Sequence, residues 1–97
     1  MLKIRYHAKA REELARSGRY YSSHSLELGN RYFKTFDQAI SDIRLFPERF
    51  PKVEGNVRRC LLRKFPFDIC YRIEKDTIRI LAVAQTSRHP HYWKRRS

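Results

Sequence analysis

The 97-residue chain carries 22 Lys and Arg against 10 Asp and Glu, a formal charge of +12 at neutral pH, and an isoelectric point near 10.3. It is too short for a second core, and with 41% hydrophobic residues, 13% aromatics, three Gly and four Pro it holds enough apolar material to fold and too little disorder-promoting material for a tail protein. The charge calls for an anionic partner, whether nucleic acid, acidic protein or membrane surface; no apolar run approaches the roughly 18 residues of a membrane span and no signal peptide follows Met1, so a cytoplasmic domain without a membrane anchor is expected.

Leu2, Ile4 and Tyr6 alternate with Lys3, Arg5 and His7, the period of a strand with one buried face. From Ala8 the spacing changes: Ala10, Leu14, Ser17 and Tyr21 fall on one face of a helix running to about His24, with Gly18 its weak point. Glu12 and Glu13, with Arg11 and Arg16, lie mostly off that face and read as solvated surface. Ser25 is placed to cap a second helix, because its hydroxyl can accept from a first-turn N–H, and Glu27 suits the positive end of the helix dipole. Phe33, Phe36, Ile40 and Ile43 then repeat at helical intervals until Pro47 closes the element. Helices joined this tightly make an antiparallel hairpin.

Residues Pro47 to Asn56, with Pro51 and Gly55, read as a connecting loop, after which the period returns to two. Val57 to Leu62 forms one strand, and Phe67 to Glu74 the next. Thr77 to Ala84 follows after a tight turn at Lys75-Asp76. The order β-α-α-β-β-β predicts one α+β domain over residues 1–97. A helical hairpin would pack on one face of a small antiparallel sheet, leaving the other face partly open. Cys60 and Cys70, ten apart among apolar neighbours, read as buried, reduced thiols.

Several segments carry a resemblance. They are Phe46-Pro47-Glu48-Arg49, then Arg58-Arg59 running into Leu61-Leu62-Arg63, then Phe65-Pro66-Phe67 ahead of Tyr71-Arg72, and finally Leu81-Ala82-Val83-Ala84 followed by Arg88-His89-Pro90-His91-Tyr92-Trp93. In that order, over nearly the whole chain, they resemble the RelE/ParE toxin superfamily, and the ending is similar to the Arg-x-Pro-x-Tyr-Trp close of ParE-like, plasmid-stabilisation members. The resemblance implies the toxin of a type II toxin–antitoxin system, neutralised by a cognate antitoxin segment lying along it. RelE-like members act as mRNA interferases in the ribosomal A site, whereas ParE-like members poison DNA gyrase without a known nuclease site. The motifs here are closer to the ParE side, and a non-enzymatic inhibitor is expected.

An endoribonuclease would need a base for the attacking 2′-OH, an acid for the leaving oxygen, and cations for the charge on phosphorus. Arg63 and Arg88 occupy positions that resemble the phosphate-stabilising arginines of RelE-like nucleases, and His91 or Tyr92 would move protons and bring the chain into RNA contact at the ribosome. The competing readings make those arginines solvated surface or antitoxin contacts, and make Tyr92 and Trp93 rings folded back onto the domain after Pro90. His89 and His91 point the same way on an extended chain, but no Cys, Asp or Glu follows Asp76, so neither a metal nor another cofactor is expected. Tyr20, Tyr21, Arg31 and Tyr32 gather near the hairpin bend as an aromatic-plus-Arg cluster of the kind enriched at interfaces, and Arg58 and Arg59 are further candidates for partner contact. A plain nucleic-acid-binding module ranks last, supported by charge alone.

Overall fold

The computed structural model describes residues 2–87 and 92–96. Strand β1 (Lys3–Tyr6) leads into α1 (Ala8–His24) and α2 (Leu26–Leu45), followed by β2 (Lys52–Glu54), β3 (Val57–Leu61), β4 (Phe67–Glu74) and β5 (Thr77–Gln85). Ser25 makes the hairpin bend by serving both helices. Its N–H donates to the Tyr21 carbonyl at the end of α1, 3.2 Å away, while its hydroxyl accepts from the Leu28 N–H at 3.0 Å to cap α2. Beyond the bend Gly29 lets the helices touch, since a Cβ there would lie 2.1 Å from Ser22 Oγ and 2.9 Å from Ser22 Cα. Gly18 gives the same clearance to the Phe33 ring, whose Cζ would sit 2.0 Å from an added Cβ.

The buried stripe of α2 is Gly29, Tyr32, Phe36, Ala39 and Ile43, a 3-4-3-4 spacing that keeps to one face. Phe33, expected on that face, is 38% exposed and lies over α1 instead. On α1 the buried residues are Ala10, Glu13, Ser17 and Gly18, and Leu14 and Tyr21 pack partly buried against the same core.

The sheet order is β1-β5-β4-β3-β2. Antiparallel pairing links β2 to β3, β3 to β4 and β4 to β5, but β1 pairs with β5 in parallel, so the sheet is mixed and not wholly antiparallel. Parallel neighbours need a crossover, and the helical hairpin supplies it by carrying the chain across the sheet before the meander returns to β1. The stretch expected to be loop contains β2, which reverses into β3 through Gly55 and Asn56 with Gly55 at φ 55°, the left-handed conformation a two-residue hairpin turn requires.

Helices and sheet enclose the main core, in which Tyr32, Phe36 and Ile43 meet Ile69, Tyr71, Ile78, Ile80 and Val83. On the far face a second cluster forms where Trp93, 3% exposed, packs on Val57, Cys70, Leu81 and Ala82. Consecutive residues Leu81 and Ala82 can share this cluster because a register shift between Cys70 and Tyr71 leaves Leu81 unmatched on β5. The far face is therefore plugged at its middle, whereas its margins are polar. Cys60 belongs to the main core and Cys70 to the second cluster; both are free and buried. Burial pushes the Cys60 thiol up to about 11 and raises Cys70 further, Asp68 adding to the effect. Among the described residues no helix is long and apolar enough to cross a membrane.

Candidate functional site

Among the described residues, two concavities flank α1 and α2. One, of about 340 Å³, lies between α1 and the sheet and is lined by Glu13, Ser17, Tyr20, Phe67, Gln85 and Tyr92. Its floor is a carboxylate clamp. Glu13, 7% exposed, accepts from the Val83 N–H at 3.0 Å, the Tyr92 hydroxyl at 2.9 Å, and both terminal nitrogens of Arg96 at 2.8 and 3.0 Å. Burial alone would push this carboxyl up, but the hydrogen bonds from Arg96, Val83 and Tyr92, together with the Arg96 charge, outweigh it and hold the group below its ordinary range. Arg96 also lies over the Tyr92 ring, 4.9 Å from its centroid, and donates to the Leu81 carbonyl at 3.0 Å. The segment Tyr92–Arg96 is thus pinned to helix and sheet by one buried acid.

Glu13 read as solvated surface in the sequence, and the structure corrects that. It stands on the same stripe as Ala10 and Ser17, at i+3 and i−4, so helical periodicity placed it inward. A carboxylate there implied a cation from elsewhere in the chain, and Lys94-Arg95-Arg96 was the available source.

The second concavity, of about 670 Å³, opens between α2 and β3 and is lined by Asp42, Arg49, Phe50, Leu61 and Arg63 among others. Arg49 lies over the Phe46 and Phe50 rings, 5.3 and 5.6 Å from their centroids, while Phe46 and Leu61 remain 52% and 56% exposed. This groove joins apolar surface to guanidinium groups, which suits a partner segment that is itself both apolar and acidic.

The candidate partner residues separate. Tyr20 is exposed beside the first cleft, edge-on to Tyr21 at 5.1 Å. Tyr21 is partly buried, its ring 5.0 Å from Tyr32 and 4.9 Å from Phe65. Tyr32 has no accessible surface. Its hydroxyl is 2.6 Å from Ser17 Oγ, and burial pushes it up to about 12, so it is a core residue that a partner cannot touch. Arg31 is exposed and pairs with Glu27 along α2 at 2.9 Å. Arg58 and Arg59 fall on opposite sheet faces. Arg58 donates to the carbonyls of Glu48 at 2.9 Å and Phe50 at 2.7 Å, bracing the turn after α2. Arg59 lies opposite Cys70 in register and holds down the Asp68 carboxyl, against the larger opposing effect of its burial.

Of the candidate nuclease residues, Arg63 is exposed on the α2–β3 groove, and Tyr92 is engaged by Glu13 on the other side of the helical layer. Arg88 and His91 lie outside the described residues, as do His89 and Pro90. No group of three or more His, Cys, Asp or Glu able to hold a metal occurs among the described residues.

A helical hairpin crossing a five-stranded mixed sheet, in a chain of net charge +12, is the build of a RelE/ParE-type toxin. The sequence profile described as "ParE toxin of type II toxin-antitoxin system, parDE" matches residues 4–90, and the chain belongs to that family. Its fold is similar to a solved chain of the "Chromosomal ParDE TA system from P. aeruginosa", with a TM-score of 0.75 at 18% identity over 88% of this chain and 96% of that one. No curated protein sequence matches the chain.

Proposed function

We propose that this ParE-family toxin inhibits DNA gyrase in the cytoplasm by surface contact and is held inactive by a cognate antitoxin. Family membership over residues 4–90 carries the reading. The chemistry of the described residues agrees with it. Tyr92, the nearest candidate for proton transfer, spends its hydroxyl on a buried carboxylate, and Arg63 stands in a different concavity from Tyr92, so the two do not form one site for acid–base cleavage of RNA. The antitoxin occupies the α2–β3 groove, where Phe50 and Leu61 meet its apolar side chains and Arg49 and Arg63 its carboxylates.

Pulse labelling after induction of the toxin alone tests this. DNA synthesis should stop before protein synthesis, and co-expression of the antitoxin should restore it. Translation failing first, with new mRNA ends that disappear in Arg63→Ala, would replace gyrase with the ribosome as the target.

A further inference from the structure

The cleft between α1 and the sheet holds polar groups that the gyrase reading does not use. Glu13, Arg16 and Tyr20 follow at i, i+3 and i+7 on α1, so they share one helical face and form one wall. The other wall comes from β4 and β5, where Phe67 lies opposite Gln85 in register. Phe67 and Val83 pack toward the helices, and the two-residue period of a strand places Gln85 on that same side. The Glu13 charge is matched by Arg96, and the Ser17 hydroxyl is engaged by Tyr32. Among the described residues the guanidinium of Arg16 and the side-chain amide of Gln85 have no hydrogen-bond or ion-pair partner. Arg16 is therefore the uncompensated charge of the lining. One turn further along α1, Tyr20 is 58% exposed.

We propose that this cleft binds one unpaired purine nucleotide, with its phosphate on Arg16, its base against the Tyr20 ring and its base edge on Gln85. A guanidinium without a counter-charge selects an anion, and its fork matches phosphate oxygens. An exposed aromatic ring is a stacking platform for a base, and a duplex hides its base faces from such a ring. The free amide offers a donor and an acceptor side by side, the pair that meets the N6 and N7 edge of adenine. A volume of about 340 Å³ lies at the small end for ligand clefts and suits a single ring system with its anionic group. A protein segment is the poorer match. It would seek a pocket for an apolar anchor, and the apolar wall, Phe67, is only 8% exposed because the core already holds it. The inference does not rest on gyrase as the target, and the cleft lies apart from the α2–β3 groove assigned to the antitoxin.

The test is isothermal titration calorimetry of the full chain with adenosine monophosphate, cytidine monophosphate and a short oligodeoxyadenylate. Arg16→Gln should weaken adenosine monophosphate about tenfold, through lost charge-assisted hydrogen bonds to phosphate. Tyr20→Ala should weaken it by about tenfold through lost stacking. Gln85→Ala should erase the preference for adenosine over cytidine monophosphate. All three side chains are exposed, so the variants keep the core. Lys52→Gln, on β2 and outside the cleft lining, removes the same charge and should change affinity by less than about twofold at physiological salt. Equal affinity for adenosine monophosphate and the oligonucleotide assigns the site to free nucleotides. Tighter binding of the oligonucleotide, abolished by Tyr20→Ala, assigns it to a base of a single strand. Equal weakening by Arg16→Gln and Lys52→Gln would mean diffuse attraction to a +12 chain and overturn the proposal. So would an absence of nucleotide binding, an unchanged affinity in Tyr20→Ala, or tighter binding of N-acetyltryptophan, which would give the cleft to a peptide.

Discussion

Replacing Glu13 with Ala removes the acceptor for four donors at once and leaves the Arg96 guanidinium, 11% exposed, without its counter-charge. Breaking a buried, hydrogen-bonded ion pair from one side costs about 3–5 kcal/mol. Arg96 lies near the chain end, however, and can recover hydration by swinging outward. Doing so frees the Tyr92–Arg96 segment and uncovers Trp93, whose burial is worth roughly 2–3 kcal/mol. Either route leads to a loss of about 3 kcal/mol, or about 12–24 °C in Tm for a domain this small. Urea and thermal unfolding of Glu13→Ala, Arg96→Met and Glu13→Ala/Arg96→Met measure it as a double-mutant cycle. The double variant should be more stable than Glu13→Ala, because no buried charge is left alone. Because the Glu13 carboxyl is held below its ordinary range, its contribution is complete above the unfolded carboxylate pKa and is lost as pH falls through the folded one. The gap between wild type and Glu13→Gln should therefore close on acidification below about 4. A cost under about 1 kcal/mol with no coupling to Arg96 would place the pair among surface salt bridges and refute the clamp.

Four further substitutions test the packing, the cap and the buried acid. Gly29→Ala should cost stability, although Ala is the better helix former by about 1 kcal/mol, because the new Cβ meets Ser22 Cα at 2.9 Å; Gly18→Ala should cost less, since only the half-exposed Phe33 ring must move, and comparative melts rank the two. Ser25→Ala removes the α2 cap and should lower stability by about 1 kcal/mol in urea titration. Asp68 is 4% exposed with its carboxyl raised by burial, the Cys70 thiol and Arg59 only partly opposing. Its ionised form therefore weighs against the folded state at pH 7, and Asp68→Asn should raise Tm there. The gain should vanish at pH below the carboxylate range, where Asp68 is protonated; a gain constant with pH would assign it to packing.

Much of the fold was legible in local signals. Ser25 as a cap, the change of period at Ala8, and the Lys75-Asp76 turn set both helices and two strands close to their observed ends, because each depends on residues within one turn of itself. The β1–β5 pairing was not legible, since nothing in Lys3–Tyr6 names a partner more than seventy residues away. Strand β2 was missed for a different reason: Gly55-Asn56 is a hairpin signal, but Pro51 and the three-residue length of Lys52–Glu54 made loop the simpler reading. On α2 the choice of Phe33 over Tyr32 followed hydrophobicity, whereas the close approach at Gly29 set the buried face one residue away. The candidate site was the least legible part. Exposure of Tyr20 and burial of Tyr32 depend on how two helices rotate against the sheet, and Glu13 gained its meaning only from Arg96, 83 residues on.

Purified toxin in a gyrase supercoiling reaction with relaxed plasmid tests the central functional reading most directly. Inhibition that is stoichiometric in toxin, and reversed by the cognate antitoxin, is the expected result. Undiminished supercoiling at excess folded toxin, with ribosome-bound mRNA cut by the same preparation, would contradict it.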